Sequence, residues 1–182
     1  MTKILERLEQ LDALFRETNA PILQYLNPGL SEEEIINFFE SNKIPIHPAL
    51  ISLYKWHNGV KSIYGHRNGL TEIIPLGAFP NLLEMLALRN DFLSYTYFDV
   101  ENRHEYVPFL SGGEDDMHLL RTSDGQIYHS SPCIQVYCDF AYDSLSSLLE
   151  LALMCYQRHL LIMGPAEGLL VDDAYWHMDE SL

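Results

Sequence analysis

Basic side chains are scarce in this chain: eleven lysines and arginines stand against twenty-six aspartates and glutamates, a formal charge of -15. That imbalance disfavours nucleic acid and anionic membrane surfaces, because the phosphates of either would be repelled. It favours a basic protein partner, drawn in by the long-range field, and otherwise serves solubility. Cysteine is also sparse. Cys133, Cys138 and Cys155 are too few and too irregularly spaced for a disulfide framework. Without a second Cys or His pair in zinc register, they are expected to be reduced, buried thiols. No run approaches the ~20 apolar residues of a membrane span. Glu6, Glu9 and Asp12 interrupt the first apolar stripe, which excludes a signal peptide, so the expected location is the cytoplasm.

What is present is ordinary globular material. A hydrophobic content of 47% in 182 residues supplies a real core and fits a single domain. The most informative stretch runs from Ser31 to Gly59, SEEEIINFFESNKIPIHPALISLYKWHNG. Ser31 and Glu34 have the spacing of a capping box, and Glu32 and Glu33 add charge where the helix dipole is positive. Ile35, Ile36, Phe38 and Phe39 give that helix one apolar face. Asn42 is its expected C-terminal cap, and Ile44-Pro45 forces an extended link. Pro48 opens a second helix, which buries either Leu50, Leu53 and Tyr54 or Ile51 and Trp56, and which should stop at Asn58-Gly59 with left-handed backbone.

Before this stretch, residues 2–18 form an amphipathic helix with Ile4, Leu5, Leu8, Leu11, Leu14 and Phe15 on one face. A link with Pro21 follows, and Asn27-Pro28-Gly29 signals a turn. After Gly59 come a short strand at Val60–Tyr64, a polar loop, and a strand at Thr71–Leu76. A helix from Leu82 to Phe92 has Leu82, Met85, Leu86 and Leu88 as apolar positions and Arg89 in its last turn. Residues 95–140 read as an antiparallel meander. Tyr106–Leu110 carries a proline that favours an edge or a strand end. Met117–Arg121 and Gln126–His129 flank the hairpin signal Ser123-Asp124-Gly125, and Cys133–Phe140 is a further strand. Asp143 or Ser144 caps a last helix to about Leu160, broken by Gly164-Pro165, before an acidic, partly apolar tail expected to pack on the domain or a partner. Three segments result: a helical 1–26, an α+β domain over 27–160, and an acidic extension over 161–182. Hairpin links favour an antiparallel sheet over a doubly wound one.

Five pieces in this order resemble the SUKH superfamily, named for a fungal cell-wall-synthesis regulator and its bacterial relatives. They are SEEEIINFFE, the proline turn into LISLYKWHNG, IIPLGAF, YVPFLSGGEDDMHLL and SDGQIYHSS, together covering roughly residues 27 to 155. The family pattern usually has Gly and Leu-Pro before the second helix, where this chain has Asn42-Lys43-Ile44-Pro45. The resemblance implies a single α+β domain, a bent and mostly antiparallel sheet backed by helices. It implies no catalytic set. Many bacterial members look like immunity proteins that neutralise a toxin, whereas fungal and animal relatives look like regulatory or adaptor modules. The recurring motif residues would be Trp56, Asn58, Gly59, Gly112, Gly113, Asp115 and Asp116, in part structural.

The candidate chemistry is thin. Glu114-Asp115-Asp116 lacks the alternating oxygens and central glycine of a calcium loop and reads better as an anionic contact. The eight histidines form no ligand pattern. Cys133 or Cys138 with His129 would make a nucleophile and base only if something lowered the thiol pKa. No metal, cofactor or catalytic residue is expected. Partner contacts are assigned to Trp56, His57, Asn58, Glu114, Asp115 and Asp116, with Tyr95, Tyr97 and Phe98 as further aromatic anchors. Ser31, Glu34, Pro45, Gly59, Gly112, Gly113, Asp124 and Gly125 are assigned to structure. The expected function is non-catalytic protein binding by a monomer or weak homodimer: an immunity protein against a basic toxin domain, or alternatively a regulatory or scaffold module. An enzyme or small-ligand binder is the outside reading.

Overall fold

Three- and four-residue spacing of apolar side chains coils the first segment into α1, Thr2–Glu17. The computed structural model describes residues 2–66, 69–75, 77–94, 101–112, 116–131 and 135–177. Leu8, Leu11 and Phe15 of α1 are fully buried, whereas Leu5, at the margin of the stripe, is exposed. Burying such side chains contributes roughly 1.5–3 kcal/mol each, so α1 is part of the core and not an appendage. Arg7 reinforces the packing by donating to the Ser146 carbonyl and pairing with Glu150 at 2.6 Å.

A short 3-10 helix at Pro21–Gln24 leads into β1, Leu26–Pro28, where the turn signal predicts no strand. The strand wins because the Asn27 side-chain amide donates to the carbonyls of Asn58 and Val60, at 3.0 and 2.9 Å. α2, Glu32–Ser41, carries the full capping box: the Ser31 hydroxyl accepts from the Glu34 amide, and the Glu34 carboxylate accepts from the Ser31 amide. The Ser31 hydroxyl, at 2.7 Å, and then the Ser31 amide donate to the Glu34 carboxylate and hold its carboxyl below the ordinary range. At the far end the left-handed residue is Lys43, at φ 54°, and not Asn42, which caps by donating its side-chain amide to Phe38 O. The extended Ile44–Ile46 link follows, with Pro45 half-buried.

α3, Pro48–Trp56, begins with the predicted proline and buries Leu50, Leu53 and Tyr54, leaving Ile51 and Trp56 half-buried. It does not run on to Asn58-Gly59. Its last residue passes straight into β2, His57–Val60, which pairs antiparallel with β1. Gly59 is left-handed, at φ 61°, but inside that strand, and Lys61–Tyr64 is not a strand.

The main sheet is antiparallel throughout, in chain order: β3 Glu72–Ile74, β4 Gly77–Ala78, β5 Tyr106–Ser111, β6 Met117–Arg121, β7 Ile127–Ser131 and β8 Gln135–Tyr142. Pro108 lies inside β5, an internal strand, against the expectation of an edge. It is tolerated because β4 reaches β5 only at Ser111 and the β5–β6 register slips between Pro108 and Leu110. Helices cover the sheet through two core clusters. Val107, Phe109, Leu120 and Ile127 join α1, α3 and α5 (Leu145–Gln157) in the larger one. Tyr106, Met117 and Leu119 join Leu88 and Phe92 of α4, Leu82–Ser94, in the smaller. Arg89 of α4 is buried and donates to the His104 carbonyl at 2.7 Å, so it does not serve the helix dipole. The result is an α+β fold.

Ser144 caps α5, and the helix stops at Gln157, well before Gly164. His159, at φ 59°, turns the chain into a hairpin of β9, Leu161–Gly164, and β10, Gly168–Val171. The acidic extension is thus built onto the domain as far as the 3-10 helix Asp173–His177. Leu161, Met163 and Leu169 enter the core, and Leu169 N donates to Gly69 O at 2.8 Å. Gly168, at φ 80°, has no room for a side chain: a Cβ there would stand 2.3 Å from that same Gly69 oxygen.

A Cβ on Gly59 would meet the Pro80 and Asn81 backbone at 2.3 Å, whereas one on Gly65, at φ 76°, would meet nothing within 4 Å. Gly59→Ala is therefore expected to cost about 2 kcal/mol or more and Gly65→Ala about 1 kcal/mol, measured by urea unfolding. Equal costs would refute the close-packing argument.

Candidate functional site

The segment Trp56-His57-Asn58, expected to face a partner, is turned into the framework. The Trp56 ring stacks on Phe79 at 6.3 Å and 12° and is half-buried. His57 Nδ1 donates to the Asn27 carbonyl at 2.8 Å, and its Nε2 lies 3.3 Å from Asp12 of α1. Asn58 Oδ1 accepts from Leu82 N at 3.1 Å, the first free amide of α4. Asn81 takes the next two, from Leu83 and Glu84, each at 3.1 Å, and donates its own amide to Glu84 at 2.9 Å. Four elements therefore meet here: Asn58 and Asn81 satisfy the otherwise orphaned amides that open α4, and Asn27 donates to the carbonyls of Asn58 and Val60. Asn81 as a cap was missed from sequence, although Asn followed by Glu three positions later, ahead of an apolar run, carries the signal.

The acidic loop is described only at its ends. Gly113, Glu114 and Asp115 lie outside the described residues, as do Tyr95, Tyr97, Phe98 and Cys133. Gly112 N donates to Asp116 O at 2.8 Å, closing the loop, and Asp116 is buried with its carboxylate 3.9 Å from His129 Nε2. Asp116 is thus no exposed contact for a partner. Beside it runs a polar row across the sheet, with His118 opposite His129 and His129 opposite Asp139. The two imidazoles stand 5.1 Å apart. Burial, and then the neighbouring His129, push His118 down to about 3, so it is neutral at physiological pH. In the sequence this row is scattered over three segments, and only strand register brings it together.

The Cys138–His129 pairing does not make a nucleophile. Burial, and then Asp139, push the Cys138 thiol up to about 12, away from thiolate. Among the described residues no group of three or more His, Cys, Asp or Glu is placed to hold a metal ion. No helix of these residues is long and apolar enough to cross a membrane. At the β6–β7 turn, Gly125 alone takes positive φ. Asp124 instead accepts from Arg121 and from Gln126 N, and the guanidinium holds its carboxyl below the usual range.

What reaches solvent is negative. Sixteen of the twenty-one described acidic side chains are exposed. Of the ten described basic ones, Arg7, Arg16, Lys55 and Arg121 are paired with acids and Arg89 is buried. α2 is the densest case, with Glu32, Glu33, Glu34 and Glu40 exposed and no basic residue of its own. No protein-family model matches the chain, and no curated protein matches it.

Asn58→Ala is expected to lower unfolding free energy by about 1 kcal/mol, because a helix-end amide loses its acceptor. A residue used only for docking would leave stability unchanged. The buried His118 makes a second prediction. Its folded-state value lies below the ordinary 6.5, so the unfolded chain takes up the proton first, and stability is lost as pH falls from about 6.5 toward 3. Between pH 7 and pH 5 the loss is about 2 kcal/mol by linkage. Urea melts of wild type and His118→Phe at both pH values should differ in slope by that amount.

Proposed function

We propose that this chain is a non-catalytic protein-binding module of the SUKH kind, acting as an immunity protein on a basic toxin domain. The observation that carries the reading is the surface charge: sixteen exposed carboxylates, with Arg7, Arg16, Lys55 and Arg121 already paired to acids and Arg89 buried. Such a field accelerates encounter with a basic partner and repels polyanions. The motif-bearing segments supply the scaffold that holds this surface rigid, since Ser31, Asn58, Gly59 and Gly125 spend their hydrogen bonds and conformations inside the fold. Burial also leaves His118 a weak base and Cys138 a thiol far from thiolate, which supports the non-catalytic reading.

The test is pull-down against the product of the adjacent gene, together with survival of cells that express both. Binding is expected to weaken at least about tenfold when ionic strength rises from about 0.05 M to about 0.5 M, as screened charge attraction requires. Failure to bind, with no protection of the cells, rejects the proposal.

A further inference from the structure

The β9–β10 hairpin alternates cleanly. Leu161, Met163 and Leu169 point into the core, while Ile162 and Leu170 point out, each 44% exposed. These two are register partners, opposite one another on adjacent strands, so they form one apolar spot and not two scattered residues. Of the seven large apolar side chains exposed among the described residues, three (Ile162, Leu170 and Trp176) belong to the segment after Leu160. The hairpin is flanked by exposed Glu167, Asp172 and Asp173, and the sequence has no Lys or Arg beyond Arg158.

We infer that the outer face of this hairpin is a docking surface, and that it takes an apolar side chain flanked by lysine or arginine on a basic protein partner. This rests on the protein-binding reading and adds where contact is made. The charge around the spot selects the occupant. A second copy of the chain would bring its own acids against Glu167, Asp172 and Asp173 and be repelled, as would a nucleic acid or an anionic bilayer. The strand pair gives the spot a rigid base, because its inner face is locked into the core and Leu169 N is bonded to Gly69 O. A preorganised apolar centre with a charged rim is the arrangement that yields both affinity and steering.

The experiment uses the full chain, labelled with nitrogen-15, and three short synthetic peptides: lysine alternating with leucine, glutamate with leucine, and lysine with serine. The lysine–leucine peptide should shift amide resonances of residues 161–171, and the other two should bind at least about tenfold more weakly. The Ile162→Ser, Leu170→Ser double variant should lose about tenfold in affinity while its amide spectrum stays that of the folded chain, since each side chain is 44% exposed and neither belongs to the buried core. Glu167→Gln with Asp173→Asn should weaken binding and flatten its salt dependence. No shift, shifts elsewhere, or equal binding of the glutamate–leucine peptide overturns the surface. One further arm separates this surface from the reading beneath it. A protein partner that binds wild type and the double serine variant equally removes the hairpin and leaves the protein-binding function intact. A basic partner that fails to bind wild type removes both.

Discussion

The fold depends on one polar knot, where the side chains of Asn27, Asn58 and Asn81 tie β1 to β2 and β2 to the start of α4. Asn27 bridges the carbonyls of Asn58 and Val60, Asn58 takes the first amide of α4, and Val60 N donates to Phe79 O at 2.8 Å. His57 draws α1 into the same corner through Asp12. A buried backbone group left without a partner costs as much as several surface ion pairs contribute. The knot therefore fixes the angle at which α3 gives way to β2 and at which α4 departs. Side-chain packing around Tyr54, Phe79 and Trp56 then has a defined space to fill.

Around that corner the sheet separates the two apolar clusters by residue parity. Leu120 goes to the larger and Leu119 to the smaller, so adjacent residues of one strand serve opposite faces. Strands β5 and β6 therefore pack on both faces, whereas β8 leaves Asp139 and Phe140 exposed.

The sequence made visible those features whose cause is local. The Ser31–Glu34 box, Pro48 at a helix start, the β6–β7 hairpin and the amphipathic α1 and α5 all follow from neighbouring residues, and all are present. It misled where a distant partner overrides local preference. Asn27-Pro28 reads as a turn until Asn58 and Val60 offer their carbonyls, and Pro108 reads as an edge until the β5–β6 bulge accommodates it. Trp56, His57 and Asn58 are plain neighbours in the sequence, and only the fold sets them against Phe79, Asn27 and the start of α4. The β9–β10 hairpin was legible and overlooked: two apolar runs around Gly164-Pro165-Ala166-Glu167-Gly168 have a hairpin's spacing.

The seam between Gly69 and Gly168 carries an evolutionary consequence. Backbone touches backbone there, with a Cβ on Gly168 falling 2.3 Å from the Gly69 oxygen and one on Gly69 falling 2.7 Å from the Leu169 oxygen. Neither position can drift alone, so two sites nearly a hundred residues apart behave as a single heritable character. A side chain at either glycine would wedge the two backbones apart, so the seating of the hairpin depends on both.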